Sequence, residues 1–82
     1  MFKLIYADEV FKQLEKLEKS IQERIINTLE RIRIRPYPYV KKLVASPYFR
    51  LRVGDYRVIL DIKNDEMTIM VVEVGNRRNI YK

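Results

Sequence analysis

Arg50, Arg52, Arg57, Arg77 and Tyr81 are the residues of this sequence whose types could do chemistry together, four guanidiniums and a phenol. Guanidiniums stay charged and grip phosphate through paired N–H donors. A tyrosine hydroxyl, with an ordinary pKa of about 10, becomes a workable base when nearby cations favour its phenolate. Arg77 and its neighbours are candidates for that role. RNA gives such a set a clear use, because each phosphodiester has its own nucleophile beside it, the 2′-OH. Cleavage needs a group to take the 2′ proton, cations to stabilise the charge on the phosphorane, and help for the leaving 5′ oxygen. The ring of Tyr81 also offers a surface on which a base can stack, worth about 1–3 kcal/mol in single-stranded recognition.

The elements that must position these groups begin with an alternating stretch over residues 48–62. With Gly54 and Asp55 as a two-residue turn, Val53 faces Tyr56, Leu51 faces Val58 and Phe49 faces Leu60 on one apolar side. Arg52 then lies opposite Arg57 on the other side, with no acid beside them in the hairpin. Like charges directly opposite cost about 0.2–1 kcal/mol. Either both guanidiniums turn into solvent, or an anion sits between them.

The rest of the chain reads as a scaffold for that hairpin. Residues 2–6 form a short strand, and Asp8 is placed to cap a helix whose apolar face is Val10, Phe11, Leu14 and Leu17. Ser20 and Glu23 have capping-box spacing for a second helix. Its apolar face, Ile21, Ile25, Leu29 and Ile32, runs until Arg35 meets Pro36. After a proline-tyrosine connector, with Tyr37 and Tyr39 packed around the turn, residues 41–45 add a short strand. Residues 48–53, 56–62 and 67–74 then follow as strands, the last two joined by a turn at Asn64, Asp65 and Glu66. The expected fold class is α+β: an N-terminal strand, a two-helix hairpin and a three- to four-stranded antiparallel meander, with the helices packed on one sheet face. The opposite face is expected to carry Arg50, Arg52 and Arg57 with Ile59, Met70 and Val72. It is a binding surface, or one that a partner subunit or terminal segment covers. Ile80 and Tyr81 argue that the tail docks rather than trails, which would bring Arg77 and Tyr81 to the same row.

Composition bounds the partners. The 82 residues suit a single domain spanning 1–82, and 48% hydrophobic against 34% charged residues suits a folded globule. Seventeen Lys and Arg against eleven Asp and Glu leave a net charge of +6, so a polyanion is the first partner to consider. No apolar run approaches the roughly 20 residues of a membrane span, and the opening residues are too short a stretch for a secretory signal. A cytoplasmic location is expected, with no membrane partner. The absence of Cys and His removes disulfides, thiolate nucleophiles, imidazole catalysis and zinc sites built on those residues. No metal and no cofactor is expected. Lys12, Lys16, Lys19, Arg24, Arg31 and Arg33 form a solvated helical face, some of which could hold RNA phosphates.

Residues 51–59 followed by 72–81, with Gly54-Asp55-Tyr56-Arg57 in the first and Val74-Gly75-Asn76-Arg77 in the second, resemble the RelE/ParE superfamily of toxins, and the RelE branch most. The order of elements agrees over essentially the whole chain. The resemblance implies the toxin of a type II toxin-antitoxin pair. Such a toxin enters the ribosomal A site and cuts messenger RNA without a metal, by 2′-OH attack that leaves a 2′,3′-cyclic phosphate. It further implies a RelB-like antitoxin partner and contact with ribosomal RNA. By alignment, Arg50 falls on the second lysine of the family's basic pair, and Arg52 on the basic residue two positions on. Arg57 falls on the arginine that stabilises the transition-state phosphate, Arg77 on a phosphate-positioning arginine, and Tyr81 on the tyrosine that stacks on the base and accepts the proton. Arg52, Arg78 and Tyr48 are further expected RNA contacts. Tyr48 stands where the bacterial RelE toxin has the first lysine of the pair. A proton-donating group is thus missing there, and Arg50 replaces it poorly; Lys41, Lys42 and Lys82 are the candidates to reach in. With one residue after Tyr81, no long terminal helix is expected to shield the site. The same fold admits two other functions: a ParE-like inhibitor of DNA gyrase, for which Tyr81 has no evident chemical use, and a catalytically inactive RNA-binding module.

Overall fold

The computed structural model describes residues 1–76. Strand β1 (Lys3–Tyr6) leads into helices α1 (Asp8–Glu15) and α2 (Lys19–Ile32). A 3-10 turn (Tyr37–Tyr39) then opens a run of four strands, β2 (Val40–Lys42), β3 (Phe49–Val53), β4 (Tyr56–Lys63) and β5 (Thr68–Asn76). This is the expected α+β order with one addition. The strands make a single five-stranded sheet in the order β1-β5-β4-β3-β2, and β1 lies parallel to β5, Lys3 opposite Thr68 and Tyr6 opposite Val71. A parallel pair needs a long crossover, which here consists of everything between the two strands. No helix among the described residues is long and apolar enough to cross a membrane.

Periodicity decides which side of each helix is buried. Val10 and Leu14 of α1, and Ile25, Leu29 and Ile32 of α2, recur at helical spacing and are buried. They meet Leu51, Val53, Val58, Leu60, Ile69, Val71 and Val74 from the sheet. Each such side chain contributes about 1.5–3 kcal/mol on leaving water. Leu17 and Ile21 are half-buried at the rim. Phe11 departs from the expected core: it is 53% exposed, its ring tilted against Tyr6 at a centroid distance of 6.0 Å. The short α1 brings the Val10 and Leu14 stripe to the sheet and leaves Phe11 outside it.

The helix starts also differ from expectation. Ala7 occupies the cap of α1, with Asp8 inside the first turn, where a carboxylate still favours the positive helix end. α2 begins at Lys19 after Glu18, so Ser20 lies within the helix and its capping box does not form. The short link between the helices is the reason. Glu18 O accepts both Ile21 N and Gln22 N at 3.0 Å, and Gln22 Nε2 donates to Leu17 O at 2.8 Å. These bonds draw the start back onto Glu18. Strand β2 stops at Lys42 rather than Ala45, because Ala45 takes a left-handed φ of 55°, which no strand continues through. Of the two connector tyrosines, Tyr37 meets the Phe49 ring edge-on at 5.7 Å, while Tyr39 is exposed.

The hairpin register is the expected one: Phe49 opposite Leu60, Leu51 opposite Val58, Arg52 opposite Arg57 and Val53 opposite Tyr56. Gly54 has a φ of +59°, and a left-handed residue first in a two-residue turn is the II′ arrangement that matches the strand twist. Between β4 and β5 the register slips: Ile59 faces Glu73 while Leu60 faces Val71, leaving Val72 as the extra residue of a bulge. The buried stripe of β5 therefore runs Ile69, Val71, Val74. Glu73, opposite Ile59, therefore takes the face away from the helices.

Candidate functional site

Strand alternation puts two cross-strand rows on the sheet face away from the helices. One runs Lys41, Arg50, Ile59, Glu73, and the next Arg52, Arg57, Gly75. The structure thus brings together Arg50, Arg52 and Arg57 as the sequence predicts. The middle of this face is closed to solvent, with Arg57 5% exposed and Ile59 6%. Arg50 is half-buried and Arg52 exposed, with Arg52 Nε donating to Gly54 O at 3.3 Å. A guanidinium held out of water at the middle of a sheet is screened less than a surface charge. A cation preorganised in this way can stabilise negative charge more strongly than one that is free in solvent.

Two residues that sequence reasoning ranked low or missed share this face. Lys41 stands directly opposite Arg50, whereas Lys42 stands opposite Phe49, which points toward the helices. Of the two lysines, Lys41 has the position to supply a proton near Arg50. Glu73 reaches the face through the bulge and is a diagonal neighbour of Arg57, an acid where the hairpin alone showed none. The signal for it was present: Ile69, Val71 and Val74 break the two-residue period. Tyr48 precedes β3 in phase with Arg50 and is half-buried, its backbone N–H donating to Ser46 Oγ at 3.1 Å. Arg77, Arg78, Tyr81 and Lys82 lie outside the described residues; β5 is described to Asn76, opposite Tyr56. Among the described residues, no cluster of three or more carboxylates could hold a metal ion.

A helical pair on one face of a small mixed sheet is the fold of the solved RelE toxins. The archaeal RelE-RelB complex of Pyrococcus horikoshii contains a chain with a TM-score of 0.83 to this one, at 25% identity over 95% of this chain and 97% of that one. The isolated Escherichia coli RelE toxin has the same fold, with a TM-score of 0.79 at 17% identity over 99% of this chain and 92% of that one. A RelE-like toxin protein of Escherichia coli is 25% identical over 79 residues, 93% of this chain and 83% of the relative. The family model described as the ParE toxin of the type II toxin-antitoxin system parDE matches residues 4–81. The chain belongs to that toxin family, and within the RelE/ParE superfamily it stands on the RelE-like side.

Proposed function

We propose that this toxin is a ribosome-dependent endoribonuclease that cuts messenger RNA in the A site by 2′-OH attack without a metal, and so stops translation in the cytoplasm. The observation that carries the reading is the buried Arg57 in register with Arg52, beside the row of Lys41 and Arg50. In this mechanism Arg50 and Arg57 hold the scissile phosphate and stabilise its extra charge, with Arg77 positioning it. Tyr81 takes the 2′ proton as the new O2′–P bond forms. The P–O5′ bond breaks, and Lys41 returns a proton to the departing oxygen. The products are a 2′,3′-cyclic phosphate and a free 5′-OH. Arg52, Arg78 and Tyr48 bind the flanking strand. The archaeal relative is a complex with RelB, which supports a RelB-like antitoxin as the protein partner here.

The test is incubation of the purified chain with ribosomes carrying a defined message, with cuts mapped by primer extension against a ribosome-free control. Cuts confined to the A-site codon are the expected result, and an intact message overturns the assignment. The ParE description of the matching family favours a second reading, inhibition of DNA gyrase. Inhibited supercoiling with an intact message would select it, whereas tight RNA binding with neither effect would leave an inactive RNA-binding module.

A further inference from the structure

Where β2 runs out, the end of the β3-β4 hairpin and the exposed side of α2 enclose an open cleft of 620 Å³. Arg24 and Arg31 from the helix and Arg52 from the strand line it, against one carboxylate, Glu23, with Asn27 as a neutral polar group between them. Arg24 and Arg31 lie seven positions apart, two turns on one face of α2. Among the described residues none of these three guanidiniums enters an ion pair. Gly54 helps to shape the cleft: a Cβ at that position would lie 3.1 Å from Arg24 Nη1. The glycine both makes the turn and leaves room for the guanidinium to lie over it.

Unpaired like charges gathered in a cleft repel one another, so fold stability gives no reason for them, and an anion does. The cleft's position narrows the kind of anion. Arg52 lines it and also stands opposite Arg57 in the row on the sheet face. The two basic regions are therefore joined through one residue at the end of the hairpin. A small free anion fills one site, whereas a chain of phosphates can occupy the row and the cleft together. We propose that the cleft of Arg24, Arg31 and Arg52 is a second phosphate-backbone site for RNA, continuous with the row on the sheet face and distinct from the cleavage position. The inference rests on the reading that this toxin handles RNA, but not on its cutting it.

The experiment measures binding of the full-length chain by fluorescence anisotropy over a series of salt concentrations, to labelled single-stranded RNA and separately to vacant ribosomes. The variants are Arg24→Gln/Arg31→Gln and, as the control that restores charge, Arg24→Lys/Arg31→Lys. Two lost phosphate contacts should reduce the slope of log affinity against log salt by about 1.4 for single-stranded RNA and weaken binding about tenfold at low salt. The lysine variant should recover the slope. Loss on free RNA alone assigns the cleft to the flank of the substrate strand, and loss on vacant ribosomes alone assigns it to ribosomal RNA. An unchanged slope on both, or a loss that the lysine variant does not recover, overturns the proposal. Cleavage plays no part in the readout, so failure of the nuclease reading and failure of this one are separable.

Discussion

Gln13 Oε1 accepts the backbone N–H of Val74 at 2.7 Å, a bond between residues 61 positions apart. It joins α1 to β5 past the point where β1 ends. Tyr6 is the last residue of β1, opposite Val71, and beyond it β5 has no neighbouring strand on that side among the described residues. The bulge at Val72 falls in the same stretch, so the Val74 amide would otherwise be buried without a ladder partner. Gln13 supplies the acceptor that a longer β1 would have given, just before Gly75 comes opposite Arg57.

Gln13→Leu should therefore destabilise the fold by about 1–3 kcal/mol, the cost of a buried amide left unsatisfied. The measurement is the urea midpoint at unchanged m-value. Gln13→Glu keeps an acceptor oxygen and should lose less than half as much. Equal losses in the two variants would show that packing, rather than the hydrogen bond, accounts for the effect.

Lys41 and Lys42 are adjacent in sequence and point to opposite faces, which makes them a matched pair for testing where a proton donor sits. Opposite Arg50, Lys41→Ala should slow message cleavage on programmed ribosomes by about a hundredfold, the lower range for loss of a general acid. Lys42→Ala, opposite Phe49, should stay within about twofold. Equal rates for the two variants would remove Lys41 from the mechanism.

Glu73 is an exposed acid on the face that carries Arg50, Arg52 and Arg57, and a diagonal neighbour of Arg57. On the proposed reading its carboxylate opposes an incoming phosphate, so Glu73→Gln should tighten RNA binding by about 1.4- to fivefold, the scale of about 0.2–1 kcal/mol for an exposed charge interaction. Anisotropy titration at low salt reads this directly. Weaker binding would mean that the carboxylate holds Arg57 in place rather than repelling the ligand.

How much of this was legible in the sequence follows from which rules are local. The Arg52 and Arg57 pairing could be read because a two-residue turn fixes hairpin register, and Gly54 supplies the left-handed residue. Ile25, Leu29 and Ile32 could be read because a 3.6-residue period repeats through α2. The parallel meeting of β1 and β5 could not, because no local pattern says which strand an edge will join. Glu73 was missed because one bulge residue inverts every later side chain of β5. The capping box at Ser20 and Glu23 had the right spacing but lost to the Glu18 and Gln22 bonds of the short interhelical link. The cleft of Arg24, Arg31 and Arg52 joins residues from separate elements, which only the packing of α2 against the hairpin brings together.

Tyr6 gives the fold a pH dependence with a definite sign. Burial of its half-covered hydroxyl raises the pKa above 10.0, the Glu30 carboxylate adds to the rise, and Arg33 opposes it. The folded state therefore holds the phenol proton more tightly than the unfolded chain does. This contribution is complete below the unfolded pKa of about 10 and is lost as pH rises from there through the folded value, because the unfolded state releases its proton first. Between about pH 9 and about pH 11 the urea midpoint of the native chain should fall. Tyr6→Phe keeps the ring against Phe11, which lies at a centroid distance of 6.0 Å, but has no proton to lose. Its midpoint should fall by less over the same interval. An identical fall in the two proteins would show that the phenol ionises as readily in the fold as outside it.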